Sequence, residues 1–188
     1  MPDGETEPHS TEPGRLTWRC VLLSGLDAER GQNVTQAAGA RKVRKGSAVM
    51  AAIARRALRQ SHAIRFLGFS LEAIDRGWAA MVLKGGTQHK QIHGVVHGGI
   101  LAALADTVGA MASYTVVPAG TAIATIEMKI NYLEPVPVGR VRAEARVLRA
   151  GRNFVVTECD VFTPAGKLAA KALITYGAAG GHSMEKEK

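Results

Sequence analysis

From Ser47 onward the spacing of apolar and polar residues divides the chain into recognisable elements. SAVMAAIARRALRQS repeats apolar residues at helical intervals, with Val49, Ile53, Ala57 and Leu58 on one side, arginines opposite, and Ser47 in place to cap the start. FLGFSLEAIDRG and WAAMVLK follow; the second reads as a strand, and Asp75-Arg76-Gly77 as the turn of a hairpin joining two β segments. A loop, GGTQHKQIHGVV, leads into the segment from Gly98 to Tyr114, whose length and Ala/Leu/Met content predict the main helix, ending before Pro118 and Gly120. TAIATIEMKINYL, GRVRAEARVLRA, NFVVTECDVF and KLAAKALITYG are then four strand-length runs, separated by turn signals at 134–139, 150–153 and 163–166.

In RVRAEARV the small apolar residues Val141, Ala143, Ala145 and Val147 alternate with Arg140, Arg142, Glu144 and Arg146, the signature of an antiparallel strand with one buried and one wet face. The buried face needs a cover. Only the 98–114 helix is apolar and long enough to supply it, so the expected fold class is α+β, a curved antiparallel sheet wrapped around one long central helix. At 188 residues and 46% hydrophobic content the chain is sized for one ordinary core. The boundaries expected are a loosely ordered extension over 1–47, a single domain over 48–178 and a disordered tail over 179–188. The extension carries a short apolar patch, Trp18 to Leu23, and a basic run, Arg41, Lys42, Arg44 and Lys45, which reads as a solvated linker.

Lys plus Arg number 24 against 16 Asp plus Glu, a net charge of +8 that favours anionic partners: phosphorylated ligands, nucleic acid or acidic lipid. Cys20 and Cys159 stand far apart with no metal-type spacing, so neither a disulfide framework nor a structural zinc site is indicated, and a reducing cytoplasm fits. The N-terminus is acidic and proline-rich, unlike a targeting peptide. Asp106, Pro118 and internal glycines interrupt the apolar stretch 98–126 too often for a membrane span.

Asp106 is the only formal charge between Lys90 and Glu127. Removing a carboxylate from water costs several kcal/mol unless something pairs with it, so an acid in such surroundings points to a partner, a water or a substrate. Its neighbours one turn either way, Ala102, Ala103, Gly109 and Ala110, are small and uncharged, leaving room for another backbone or a ligand.

HGGILAALADTVGAMAS, followed by TIEMKINYLEPVPVG and later RAGRNF, resembles the hotdog-fold acyl-CoA thioesterases of the phenylacetate-pathway type, over roughly residues 60–177. The resemblance implies a hotdog fold and hydrolysis of an acyl thioester to a free acid and coenzyme A, with no metal or organic cofactor. It places His97 on the motif histidine, Gly98 on the glycine whose backbone N–H polarises the thioester carbonyl, and Asp106 on the carboxylate that activates water or attacks directly. Gln91 stands where the family often has asparagine, and Thr125 where a hydroxyl can help hold the water. One branch carries a threonine a turn beyond the acid; Ala110 stands there, so that branch's aromatic substrate is not implied.

The residues carry the same site physically. Adjacent glycines, Gly98 and Gly99, at a helix start let a ligand reach N–H groups that lack intrahelical partners. Such donors stabilise the charge that develops on a carbonyl oxygen under attack. Asp106 lies eight residues beyond Gly98, about 12 Å along one helix, whereas a nucleophile must come within about 3–3.5 Å of the carbonyl carbon. One helix cannot provide both groups, but two packed antiparallel about a twofold axis can, so a homo-oligomer, a dimer or a dimer of dimers, is expected. His97 has a structural role as its plainest reading. His89 and His93 could mimic half a metal site, but no acid lies near, and no metal is assigned. His93 paired with Asp106 is the competing assignment, a hotdog dehydratase or hydratase. A non-catalytic acyl-CoA-binding regulator using the basic arm at 41–45 is the alternative from another class, though nucleic acid is not the expected partner. Of the basic residues outside the motif, Arg149 and Arg152, brought together by a turn, are the chosen candidates for coenzyme A phosphates.

Overall fold

A computed structural model describes residues 46–179. The extension's apolar patch at Trp18 to Leu23, its basic run at 41–45, Cys20 and the tail from Met184 lie outside those residues. The elements run α1 (Ala48–Gln60), α2 (His62–Phe66), β1 (Phe69–Asp75), β2 (Trp78–Lys84), a 3₁₀ turn (Thr87–His89), α3 (Gly98–Tyr114), β3 (Ala122–Tyr132), β4 (Arg140–Ala150), β5 (Phe154–Phe162) and β6 (Leu168–Ala179). All strands join one antiparallel sheet of six, ordered β1-β2-β4-β5-β6-β3, with β1 and β3 at its edges.

The expected hairpin is present: Asp75 pairs with Trp78 across Arg76-Gly77, and Gly77 takes the positive φ of +66° that the tight turn demands. The strand alternation also holds, with Val141, Ala143 and Ala145 buried on β4. These residues and their counterparts Met81, Leu83, Val155, Cys159 and Ile174 enclose one side of α3, where Leu101, Leu104, Ala105, Val108 and Ala112 are buried. Apolar burial of this extent, at about 25 cal/mol per Å², is what holds the helix inside the sheet.

The expectation for α1 is corrected in part. Ser47 does cap it, its side chain accepting from the Met50 amide, and its own N–H bonds the Ile74 carbonyl at 2.7 Å. The stripe turned to the core, however, is Ala51, Ala54 and Leu58, while Val49 and Ile53 are 72% and 67% exposed. Alanines let the helix backbone approach β1 closely. A Cβ on Gly46, just before the cap, would lie 2.5 Å from the Ile74 carbonyl oxygen, which shows how close that approach is. The bulkier aliphatics are left on the other side.

Glycine 109 marks another close approach. Tyr176 on β6 is buried and sends its hydroxyl to the Asp106 main-chain carbonyl at 2.6 Å; a Cβ on Gly109 would sit 2.3 Å from that hydroxyl oxygen and 3.1 Å from Ile174 Cδ1. On the wet face of the sheet Glu72 binds Arg140 and Arg142, Arg142 also binds Glu144, and Glu158 binds Arg146 and Lys171. Burial alone would raise the Glu72 pKa, but hydrogen bonds and charge from Arg142 and Arg140 outweigh it and hold the carboxyl below its ordinary value.

The Gly109→Ala variant should lose about 1–3 kcal/mol from overpacking, read as a lower urea midpoint, and the double variant Gly109→Ala/Tyr176→Phe should lose less than the sum of the two single changes. Because the Glu72 carboxyl is more acidic folded than unfolded, its stabilisation is present above the unfolded pKa of about 4.3 and is lost as pH falls through the lower folded value. Melting temperatures of Glu72→Gln should therefore decline less than those of the native protein as pH falls below about 4.5.

Candidate active site

Asp106 lies on the side of α3 that the sheet leaves uncovered, in company with Ala102, Ala103, Thr107, Ala110 and Met111, all of them half-buried. Its side chain is not adrift in solvent. Thr125 on β3 donates its hydroxyl to Asp106 Oδ1 at 2.7 Å, and the Tyr176 hydroxyl stands 3.4 Å from the same oxygen while donating to the main chain. Thr125 and Tyr176 are cross-strand partners on β3 and β6, and a bulge follows between Thr125 and Glu127. The bulge packs Ile126 over Gly177, where a Cβ would lie 2.8 Å from the Ile126 side chain. Burial, reinforced by the Asp106 charge, pushes the Tyr176 phenol far up, so it remains a donor. Asp106 Oδ2 makes no hydrogen bond among the described residues, which leaves one carboxylate oxygen fixed and the other open.

The start of α3 is built as a second centre. His97 occupies the N-cap, its Nδ1 accepting from the Gly99 amide at 2.9 Å, which sets the proton on Nε2. Ile100 and Leu101 amides bond the His97 carbonyl. Gly98, the first helical residue, keeps an N–H with no hydrogen bond among the described residues. The Tyr132 ring covers Gly98: its hydroxyl donates to the Gly98 carbonyl at 2.9 Å, and a Cβ on Gly98 would lie 3.3 Å from Tyr132 Cζ. Gln91 Oε1 accepts from the His93 amide at 2.7 Å, leaving the Gln91 side-chain NH₂ as a donor. Lys90, Gln91, Ile92, His93, His97 and Gly98 line an open depression of about 630 Å³.

The sequence-derived candidates thus fall into groups. Thr125 joins Asp106, while Gln91, His93, His97, Gly98 and Gly99 gather around the start of α3. Within one chain eight residues of helix, about 12 Å, separate the two groups. No hydrogen bond joins His93 to Asp106 among the described residues, so the dehydratase pairing has no support inside one chain. His89 is committed elsewhere, Nδ1 accepting from Gly86 N and Nε2 bonding Leu67 O, which withdraws it from metal ligation. Arg149 and Arg152 are exposed around the β4–β5 turn. That is the end of the sheet where α3 finishes, since Thr115 accepts from Gly77 N and Val147 N bonds Gly77 O; the start of α3 lies at the other end, where Val96 N bonds Val136 O.

Tyr132 and Tyr176 are not marked by the sequence, and Gly109 is marked only as a small neighbour of Asp106. For Tyr176 a signal existed, since a phenol within the apolar strand KALITYG must find a hydrogen-bond partner once buried.

A family model described as the thioesterase superfamily matches residues 93–170, which include His97, Gly98, Asp106 and Thr125. The proofreading thioesterase EntH of Klebsiella pneumoniae is 30% identical over 104 residues, 55% of this chain and 76% of that protein. Among solved structures, a Haemophilus influenzae thioesterase superposes with a TM-score of 0.66 at 26% identity, covering 72% of this chain and 94% of that one. The PaaI protein from the phenylacetic acid degradation operon of Escherichia coli does so with a TM-score of 0.65 at 25% identity, covering 71% and 96%. With its six-stranded sheet wrapped around α3 and its acid at mid-helix, the chain belongs to the thioesterase superfamily and is a thioester hydrolase of the hotdog fold.

Proposed function

We propose that the protein hydrolyses acyl-coenzyme A thioesters to a free acid and coenzyme A, at two equivalent sites that each combine the α3 start of one subunit with Asp106 and Thr125 of the other. The observation that carries this reading is the division described above: a carboxylate with one oxygen tethered by Thr125 and the other open, and a free Gly98 N–H about 12 Å away along the same helix. Two α3 helices packed antiparallel bring each acid to the partner's glycine. Small residues on the uncovered side of α3, Ala102, Ala103 and Ala110, permit that approach. β3 favours it as well: it is an edge strand of 11 residues with Ile126 and Tyr132 58% and 50% exposed, a surface that a second copy can extend. With Gly98 of one helix set against Asp106 of the other, the end of α3 runs about 12 Å past the partner's α3 start, and Arg149 and Arg152, exposed at that end, are the cations offered to the coenzyme A phosphates.

The chemistry follows from the donors. The thioester carbonyl oxygen accepts from Gly98 N–H and from the Gln91 side-chain NH₂. Asp106 Oδ2 takes a proton from a water whose oxygen attacks the carbonyl carbon, and the charge on the resulting oxyanion is met by donors already in position. Collapse breaks the carbon–sulfur bond; the thiolate leaves with the proton Asp106 had taken, and the acid is released. Direct attack by Asp106, through an anhydride, uses the same atoms, and incorporation of ¹⁸O from labelled water into Asp106 in a single turnover separates the two courses. His97 acts here as the cap that orients the glycine amides. We place the activity in a reducing cytoplasm, in keeping with the unpaired, buried Cys159. Among the described residues no helix is long and apolar enough to cross a membrane.

Asp106→Asn should lower kcat/KM on an acyl-CoA panel by about 10²–10⁴-fold while leaving the melting temperature close to native; an unaffected rate overturns the assignment. Gly98→Pro removes the N–H at a helix position where proline is tolerated, and the extended His97 before it (φ −64°, ψ 134°) suits a following proline. That variant should also be inactive. Mixed in equal amounts with Asp106→Asn and reassembled, the pair should recover about a quarter of native activity, because half of the random dimers then carry one intact site of two.

A further inference from the structure

Beyond Asp106, toward the end of α3, lies an open cavity of about 680 Å³. Its walls are one side of α1 (Met50, Ile53, Ala54, Ala57), the last turns of α3 including Met111, and the connection 117–122 with Val117. No charged side chain lines it among the described residues. Thr115, one of its few polar groups, is already committed, its hydroxyl donating to Ala112 O at 2.6 Å and accepting from Gly77 N at 2.7 Å.

The cavity accounts for the behaviour of α1. Met50, Ile53, Ala54 and Ala57 recur at i, i+3, i+4 and i+7, an apolar stripe of the kind that normally faces a core. Yet Ile53 is 67% exposed, because Met50, Ile53 and Ala57 face the cavity while Ala51 and Leu58 face β1, with Ala54 between the two sides. An apolar helix side held open over an apolar space wants an apolar occupant. Position supplies the identity: Met111 lies five residues beyond Asp106 on α3, about 7.5 Å along the axis, and Ala122 lies three residues before Thr125 on β3, about 10 Å along the strand.

We propose that this cavity receives the acyl group of the thioester, and that the site selects unbranched, wholly apolar acyl chains of medium length, with α1 as the wall that sets the limit. The inference rests on the hydrolase reading above for the position of the thioester. From Asp106 to the last residue of α3, Tyr114, is eight residues, about 12 Å, which an extended chain covers in about eight to ten carbons at roughly 1.3 Å of advance per carbon–carbon bond. The volume falls within the range of pockets that enclose small apolar ligands. Ala110, between the acid and the cavity, offers no hydroxyl to a polar acyl group.

The test uses the full-length chain and S-alkyl coenzyme A thioethers, which cannot be hydrolysed, with alkyl groups of two to fourteen carbons, titrated calorimetrically alongside turnover of the matching acyl thioesters and of benzoyl- and phenylacetyl-CoA. Affinity should rise about fourfold per methylene until eight to ten carbons and then level off. Ala57→Phe, which fills the cavity from α1, should reduce the ratio of ten-carbon to two-carbon affinity at least tenfold. Ile53→Ala, at an exposed site that tolerates truncation, should move the plateau to longer chains and keeps the test available if the phenylalanine disturbs folding. Turnover with a flat chain-length profile, with the aromatic thioesters preferred, or with neither variant altering the profile, overturns the cavity assignment and leaves the hydrolase reading standing. A chain-length rise that Ala57→Phe truncates, without turnover of any thioester, leaves the cavity assignment standing and overturns the hydrolase reading.

Discussion

The sheet reaches only part of the way around α3, and the organisation of this protein depends on that incomplete wrapping. One side of the helix is packed against β2, β4 and β5 with Leu104, Ala105, Val108 and Ala112 fully buried; the other carries the chain's isolated acid among small residues. A helix enclosed on all sides would bury an acid at a cost only a buried partner could offset, and a helix exposed on one whole face would not hold a carboxylate in a fixed place. Half-burial resolves the conflict. The bonds that position the acid come from the rim of the sheet, from Thr125 on edge strand β3 and Tyr176 on its neighbour β6. The edge of the sheet is therefore also the edge of the site.

That arrangement explains why the fold was legible in the sequence while part of the site was not. The strands of RVRAEARV and its neighbours, the hairpin at Asp75–Trp78 and the limits of α3 are announced by local periodicity and turn chemistry, signals that act over a few residues. Asp106, Gly98 and Thr125 were visible because charge in an apolar run, paired glycines and a motif are also local. Tyr176 lies 70 residues from Asp106 and Tyr132 lies 34 from Gly98; no window of sequence joins them, and only the pairing of β3 with β6 and the path of α3 bring them together. Gly109 likewise reads as a weak helix former until the Tyr176 hydroxyl is seen against it. The α1 stripe was misplaced for another reason: periodicity finds apolar sides but does not rank them, and close packing on β1 favoured the small side, Ala51 and Ala54, over the larger one.

The two centres of the site use opposite strategies for the same end. At Asp106, extra partners immobilise one oxygen and leave the other free. At the α3 start, His97 satisfies the Gly99 amide and leaves that of Gly98 unsatisfied, while Tyr132 binds the Gly98 carbonyl and so fixes the peptide that follows it. In each case the group left without a bond is surrounded by groups whose bonds are complete, which is how a donor or a base is held ready without reorganisation when charge develops. On the proposed mechanism, removing a satisfied neighbour would act through the geometry of the group it holds.

α1 extends this logic outside the segment matched by the family model, which begins at residue 93. A helix that only covered β1 would need one apolar stripe; α1 carries a second, at Met50, Ile53 and Ala57, which lines the cavity. Since β1, α1 and the end of α3 are tied together by Ser47 N to Ile74 O and by Gly77 N to Thr115 Oγ1, the cavity wall is anchored at the end remote from Gly98. Chemistry at mid-helix and the limit on what can be accommodated beyond it are then set by different segments. On the proposed acyl assignment, substitutions along α1 would change which acyl group fits without touching Asp106, Thr125 or Gly98, so selectivity and bond breaking would answer to different segments of the chain.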